Sequence, residues 1–165
     1  MMYIAKVIQG YITENDTLLD VSCGRCNASK DIKAKIKIGI DVYRIALQEA
    51  KKHCIPINMD MRDVGKMFLP KTFDIVLWMD GIEHLSTNES MVVLEALEGI
   101  AKKRIIVFTP NEFFDNLGMV GKEEDEHQLH RSLFKDDFWR SRGYKIQYFQ
   151  SKTTSIKSVL AVKDL

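Results

Sequence analysis

The sequence lacks the features that mark secreted, membrane-spanning or strongly charged proteins. Its 165 residues contain no apolar run near the roughly 18 residues of a spanning helix. The first residues, Met1 to Lys6, also lack the long apolar stretch of a signal peptide. Three cysteines are an odd number for a secreted disulfide framework, so we predict a cytoplasmic protein. The 24 basic and 23 acidic side chains leave a net charge of +1, which argues against membrane surfaces and nucleic acid as partners.

Proline and glycine are also too sparse to mark an internal boundary. The three prolines and nine glycines form no linker, so we predict one domain over residues 1–165. Short apolar runs alternate with helical patterns, which favours an α/β fold. We predict a three-layer, doubly wound, mostly parallel seven-stranded sheet that ends in an antiparallel hairpin.

The predicted elements follow one another closely after a short stretch that precedes the first strand. The predicted strands are 17–21, 36–41, 55–59, 73–78, 104–108, 144–150 and 156–162. The predicted helices are a short one within 23–33, then 42–53, 89–102 with Asn88 as its N-cap, and 135–142 closed by Gly143. Residues 111–131 are polar and weakly periodic, so we predict a long loop there.

Polar and small residues follow four of the predicted parallel strands, where ligands bind in doubly wound sheets. Asp20 begins a turn of small residues that ends at Cys26. Asp41 follows the second strand, at the offset where an acidic residue binds ribose hydroxyls. Asp60, with Met61 beside it, suits an exocyclic amine and an adenine face. The fourth set is Met79 to Leu85, where the reacting end of the ligand is expected.

These residues resemble the class I S-adenosylmethionine-dependent methyltransferases over about 18–162, especially the group whose fourth strand ends in Glu-His-Leu. The resemblance rests on LLDVSCGRC, Asp41, Asp60-Met61, FDIVLWMDGIEHL, RIIVFTPN, and His127 to His130 with the segment 134–143. It implies a Rossmann-like methyltransferase that uses S-adenosylmethionine as its cofactor. The cofactor-binding residues that it implies are Asp20, Ser22, Cys23, Gly24, Asp41, Val42, Asp60, Met61, Met79 and Asp80.

The acceptor side of such an enzyme has histidines as its candidate bases. Methyl transfer from a sulfonium is an in-line displacement, and a base is needed where the nucleophile is a hydroxyl or an amine. His84, His127 and His130 are the candidate catalytic residues, since imidazole titrates near neutral pH. Our hypothesis is that His127 and His130 line the substrate side. We expect a small-molecule or partner-presented acceptor.

The first motif departs from the family pattern and keeps other functions open. The family has three glycines there, whereas Ser22 and Cys26 stand at the outer positions and Gly24 alone remains. An alternative is therefore a catalytically weak or inactive methyltransferase fold that acts as a binding or scaffold partner. A nicotinamide-dependent oxidoreductase would need G-x-G-x-x-G after the first strand, which is absent.

Structural roles also compete for the acidic and histidine residues singled out above. Asp20 would hydrogen-bond the turn, Asp41 would cap the helix from Val42, and Asp63 would take the place of Asp60. Glu83 and His84 would hydrogen-bond only in the rim of the site. A metal held by Glu126, His127 and His130 is the alternative to a solvated loop.

Cys23 and Cys26 form a C-x-x-C pair after a strand. That pattern also suits a thioredoxin-like redox site, although the acidic residues have no place in such a site. A zinc site needs two ligands beyond this pair, and no second C-x-x-C exists. We therefore predict no metal site.

Overall fold

A computed structural model describes residues 2–113, 127–150 and 156–165, with the backbone alone for residues 2 and 3. Its helices are α1 (Met2–Gln9), α2 (Arg44–Ala50), α3 (Val64–Met67), α4 (Thr87–Ile100) and α5 (Asp136–Ser141). Its strands are β1 (Thr17–Val21), β2 (Ile36–Asp41), β3 (Ile55–Asn58), β4 (Phe73–Met79), β5 (Ala101–Pro110), β6 (Lys145–Gln150) and β7 (Lys157–Asp164). Short 3-10 turns cover Met61–Asp63 and Ile82–His84.

The seven strands form one sheet in the order β3-β2-β1-β4-β5-β7-β6. The first five are parallel, and β7 pairs antiparallel with both β5 and β6. The chain moves outward from β1 to β3, then returns to place β4 on the other side of β1. This reversal creates a crevice at the carboxyl ends of β1 and β4. The predicted seven-stranded, mostly parallel fold with its C-terminal hairpin is confirmed.

Strand residues alternate between two apolar cores, one on each face of the sheet. Leu18, Ile75 and Leu77 pack with α1, through residues that include Ile4 and Ile8. Their neighbours in the sequence point the other way and pack with α3, α4 and α5. The members of this second core include Leu19, Val76, Trp78, Leu94 and Trp139. Helices on both faces of the sheet give the three predicted layers.

Several predicted elements are wrong in their extent. The stretch before β1 contains α1, which the sequence analysis did not predict. Residues 24–31 form turns, with a bend at Cys26, rather than a helix, because left-handed backbone at Gly24 and Cys26 interrupts helical geometry. Among the described residues, no helix has both the length and the apolarity needed to cross a membrane.

The helix caps also differ from those predicted. Helix α2 begins at Arg44 with Tyr43 as its N-cap, so Asp41 is not the cap of a helix from Val42. Helix α4 is capped by Ser86 rather than Asn88, since Ser86 and Glu89 form a reciprocal capping box. Gly143 ends α5 with a φ of 84°, as predicted. Most of the predicted loop 111–131 lies outside the described residues.

Candidate functional site

A cleft of about 500 Å³ opens at the carboxyl ends of β1 to β4, where the strand order reverses. All ten predicted cofactor-binding residues line this cleft: Asp20, Ser22, Cys23, Gly24, Asp41, Val42, Asp60, Met61, Met79 and Asp80. His84 and His127 line it too, whereas His130 packs behind His84 with their ring centroids 5.2 Å apart. The parallel strands therefore bring Asp20 and Asp80, which lie 60 positions apart in the sequence, to one cleft, and His127 joins them from a later segment.

The turn after β1 keeps a tight form although it has one glycine. Ser22, Gly24 and Cys26 have φ values of 57°, 51° and 59°, all in the left-handed region. Glycine adopts this region freely, whereas each L-residue there costs about 1–2 kcal/mol. The turn is held by the Cys26 amide, which donates to the Cys23 carbonyl at 2.7 Å. Two side chains thus occupy a conformation that favours glycine.

Asp41 connects the end of β2 to the turn after β1. Its Oδ2 accepts from the Gly24 amide at 2.8 Å, and its Oδ1 accepts from the Tyr43 amide at 2.7 Å. Each carboxylate oxygen can accept two hydrogen bonds, so both keep one free acceptor position. The Asp41 side chain, partly exposed in the cleft, can therefore accept from a diol as well as hold the turn.

Asp20 lies beneath the cleft and is buried, with 3% of its surface exposed. It accepts a short hydrogen bond from the Ser29 hydroxyl, which fits the alternative that Asp20 bonds within the turn. Burial raises the pKa of Asp20 to about 7. The carboxyl group is therefore partly protonated at neutral pH.

Asp60 is paired with Arg62, which the sequence analysis did not single out. The Arg62 guanidinium donates to both Asp60 oxygens and, through Nη1, to Glu89 at 3.1 Å. These hydrogen bonds hold the pKa of Asp60 below its usual range. Asp63, the competitor for this position, bonds Lys66 instead and does not line the cleft. Any amine that binds Asp60 shares it with Arg62.

Glu83 is buried beside β5 and serves as an anchor. Its Oε2 accepts from the Thr109 hydroxyl at 3.0 Å, and its carbonyl accepts from the amides of Arg131 and Ser132. Burial, with a smaller effect of the Asp80 charge, raises the pKa of Glu83 to about 8. Glu83 is thus mainly protonated at neutral pH and ties the 131–132 segment to the cleft.

His84 and His130 form a pair of imidazoles beside this anchor. Burial lowers the pKa of His84, and burial together with the charge of His84 lowers that of His130. The His84 Nδ1 lies 3.3 Å from the Leu129 carbonyl, which can only accept. A proton on Nδ1 suits this contact, and the lowered pKa favours the neutral ring. Glu126, of the alternative metal trio, lies outside the described residues.

The cleft has a second set of charged residues that sequence reasoning missed. Arg62 and Glu89 line it beside Asp60 and Met61, and Arg25 and Arg131 stand at other points of its wall. Nothing in the sequence near Arg131 marks it, since its place depends on the Glu83 carbonyl. Arg62 follows the Asp60-Met61 pair directly, and this position in the sequence could have identified it as a residue of the cleft.

Comparison with solved structures relates this geometry to known proteins. Magnesium protoporphyrin IX methyltransferase from Synechocystis, with bound S-adenosylhomocysteine, has a TM-score of 0.70 at 15% identity over 99% of this chain and 80% of that one. A SAM-dependent methyltransferase from Archaeoglobus fulgidus has a TM-score of 0.68 at 15% identity, over 98% and 94%. A SAM-dependent methyltransferase from Methanosarcina mazei has a TM-score of 0.69 at 13% identity, over 96% and 96%.

The chain has the class I S-adenosylmethionine-dependent methyltransferase fold. No protein-family model and no curated protein matches the sequence. The likeness to the methyltransferase fold spans nearly the whole chain, including the strand ends that build the cleft. Identities of 13–15% relate the chain to these proteins by fold.

Proposed function

We propose that the protein binds S-adenosylmethionine in the cleft and transfers its methyl group to a small-molecule or partner-presented acceptor. The observation that carries this proposal is the convergence of all ten predicted cofactor-binding residues on one cleft, at the strand reversal of a methyltransferase fold. Cofactor-binding residues in this fold class belong at that place.

The cleft divides into two regions under this proposal. The cofactor region consists of Ser22 to Gly24, Asp41 and Asp60 to Arg62. In it, Asp41 accepts from the ribose hydroxyls, Met61 covers the adenine face, and the turn after β1 lies along the methionine part. The acceptor region is lined by Asp80, His84 and His127, with Glu83 and His130 packed beside His84.

The chemistry needs orientation more than covalent participation by the protein. The cofactor supplies the activated methyl group and its leaving group. The acceptor region holds the nucleophile in line with that carbon. His84, which lines the cleft and has a lowered pKa, is the base that takes a proton from a hydroxyl or amine nucleophile.

Calorimetry with S-adenosylmethionine and S-adenosylhomocysteine tests the binding half of the proposal. We expect saturable binding of both at one site per chain. If neither binds at millimolar concentration, the proposal fails and the scaffold alternative is favoured. Formation of S-adenosylhomocysteine with candidate acceptors then tests transfer.

A further inference from the structure

The turn after β1 and the start of β3 bring three thiols together. The Sγ atoms of Cys23, Cys26 and Cys54 all lie within 4.8 Å of one another, and those of Cys26 and Cys54 are 3.2 Å apart. All three cysteines are free, and none forms a disulfide in the structure. Cys54 is 28 positions from Cys26, so the C-x-x-C pair gains its third sulfur only from the fold.

The strand beside this thiol cluster is shaped to receive it. A Cβ atom at Gly39 of β2 would lie 2.7 Å from the sulfurs of both Cys23 and Cys54. Real Cβ atoms do not approach other atoms so closely. The missing side chain of Gly39 therefore leaves the space toward which these two sulfurs converge.

The distances suit one ion among three sulfurs. Zinc–sulfur bonds of about 2.3 Å place tetrahedral thiolates about 3.8 Å apart, so sulfur shifts of about 1 Å or less complete the site. Thiolates are soft ligands and select Zn²⁺ and Cu⁺ among the biological metals. Three protein ligands leave the fourth position of a tetrahedral ion to a small exogenous ligand.

The charge around the cluster also suits a metal–thiolate group. Three thiolates with Zn²⁺ carry one net negative charge. Lys37 lies two residues before Gly39 and therefore on the same face of β2. Its ammonium is buried and donates to the Ser29 carbonyl at 2.5 Å, and the Ser29 amide in turn donates to the Cys26 carbonyl. Lys37 thus fixes a cation near the cluster, and the buried Asp20 carboxyl that also lies there is partly protonated at neutral pH.

We propose that Cys23, Cys26 and Cys54 form a binding site for a thiophilic d10 metal ion, Zn²⁺ or Cu⁺. Each thiol that binds the ion releases its proton to solvent. The ion joins the turn after β1 to the start of β3 and so fixes the turn that lacks two glycines. The prediction of no metal site is wrong under this proposal because the C-x-x-C pair supplies two ligands and the fold supplies the third.

Titration of the reduced, chelator-treated full chain under nitrogen tests the site. Co²⁺ serves as the spectroscopic probe, because the intensity of its thiolate charge-transfer bands reports the number of sulfur ligands. We expect one equivalent with three thiolates, displaced by one equivalent of Zn²⁺. A separate titration with Cu⁺, in competition with a chromophoric chelator, decides which ion binds more tightly. Absence of thiolate bands, together with no retention of Cu⁺ against the chelator, contradicts the proposal.

Variants assign the ligands independently of activity. Cys54→Ser should weaken Co²⁺ binding by about 100-fold or more, since even outer-shell substitutions cost 10–100-fold. His53→Gln is the control, because it changes an exposed side chain beside Cys54 and keeps all three sulfurs. Circular dichroism of the metal-free variants verifies that both are folded. Unchanged binding by Cys54→Ser, or binding lost with His53→Gln, contradicts the site.

Coupling between the metal site and cofactor binding in the cleft rests on the proposed function, and it is measured separately from metal binding. One equivalent of Zn²⁺ should raise the affinity for S-adenosylhomocysteine by about fivefold or more, and the cofactor should raise metal affinity equally. Stoichiometric metal binding without any cofactor binding refutes the proposed function and leaves the metal site standing. Cofactor binding without metal binding refutes the metal site alone.

Discussion

The cofactor region and the acceptor region of the cleft are built by different means. In the cofactor region, the carboxylates already accept hydrogen bonds from the protein. The Gly24 amide donates to Asp41, and the Arg62 guanidinium donates to Asp60. In the acceptor region, His84 has a lowered pKa and lines the open cleft, and the neighbouring Glu83 is buried and mainly protonated. Changes in the cofactor region should therefore alter cofactor affinity, and changes in the acceptor region should alter turnover.

The largest expected effect is on turnover. Replacing both His84 and His127, the two histidines that line the cleft, by alanine should lower turnover about 100-fold, the lower range for a lost acid–base group, and leave cofactor affinity unchanged. The rate of S-adenosylhomocysteine formation measures turnover, and calorimetry measures cofactor affinity. His53→Ala is the control, because His53 is exposed and outside the cleft. Unchanged turnover on an identified acceptor would refute the role of these histidines.

The next prediction concerns the stability of the contact between Gly81, Trp78 and Ser22. An added Cβ at Gly81 would lie 2.5 Å from Trp78 Nε1 and 2.7 Å from Ser22 Oγ, so Gly81→Ala should destabilise the fold by about 2 kcal/mol. Chemical denaturation measures this loss. Gly99→Ala is the matched control, since its Cβ meets nothing within 4 Å. Adding Ser22→Gly to Gly81→Ala should restore part of the stability, and no restoration would contradict the contact.

Glu83 gives the acceptor region a pH signature. The folded pKa of about 8 exceeds the ordinary value of 4.5, so the native state binds more protons between these pH values and loses stability as pH rises through this window. Glu83→Gln removes that loss. Its stability advantage should grow with pH from about 5 to 8, at up to about 1.4 kcal/mol per unit. Parallel pH–denaturation curves would contradict the burial of this carboxyl.

The smallest effect tests the turn of the cofactor region. Ser22→Gly removes a side chain from left-handed backbone at φ 57° and should stabilise the fold by about 1 kcal/mol. Gly24→Ala, at φ 51° with open space around it, should destabilise it by about the same amount. Thermal denaturation of both variants measures the two changes in stability. Equal melting temperatures would show that the turn is not strained.

The strands and the cleft could be predicted because they depend on local patterns. Apolar runs bounded by polar residues located all seven strands, and parallel strands place their ends at one edge. The N-cap of α4 could also have been predicted, since Ser86 and Glu89 have the spacing of a capping box. The prediction of Asn88 as the cap is wrong. Helix α1 was missed, although Ile4 and Ile8 have helical spacing.

Features that depend on tertiary contact could not be predicted. The bond from Arg62 to Glu89 spans 27 positions, and Cys54 reaches Cys26 across 28. The packing of His130 behind His84 depends on the Glu83 carbonyl that holds Arg131. No local pattern encodes such pairs. The cytoplasmic location, the single-domain boundary and the acceptor class stay predictions.

The most direct test of cofactor binding in the cleft is the affinity of Asp41→Ala for S-adenosylhomocysteine, measured by calorimetry beside Asp63→Ala. Asp41 faces the cleft and Asp63 does not, although both are exposed at least in part. Removal of a hydrogen-bond acceptor that a bound ribose would cover predicts a loss of about 1–3 kcal/mol for Asp41→Ala and no change for Asp63→Ala. Equal affinity in both variants and the parent protein would contradict ribose recognition by Asp41.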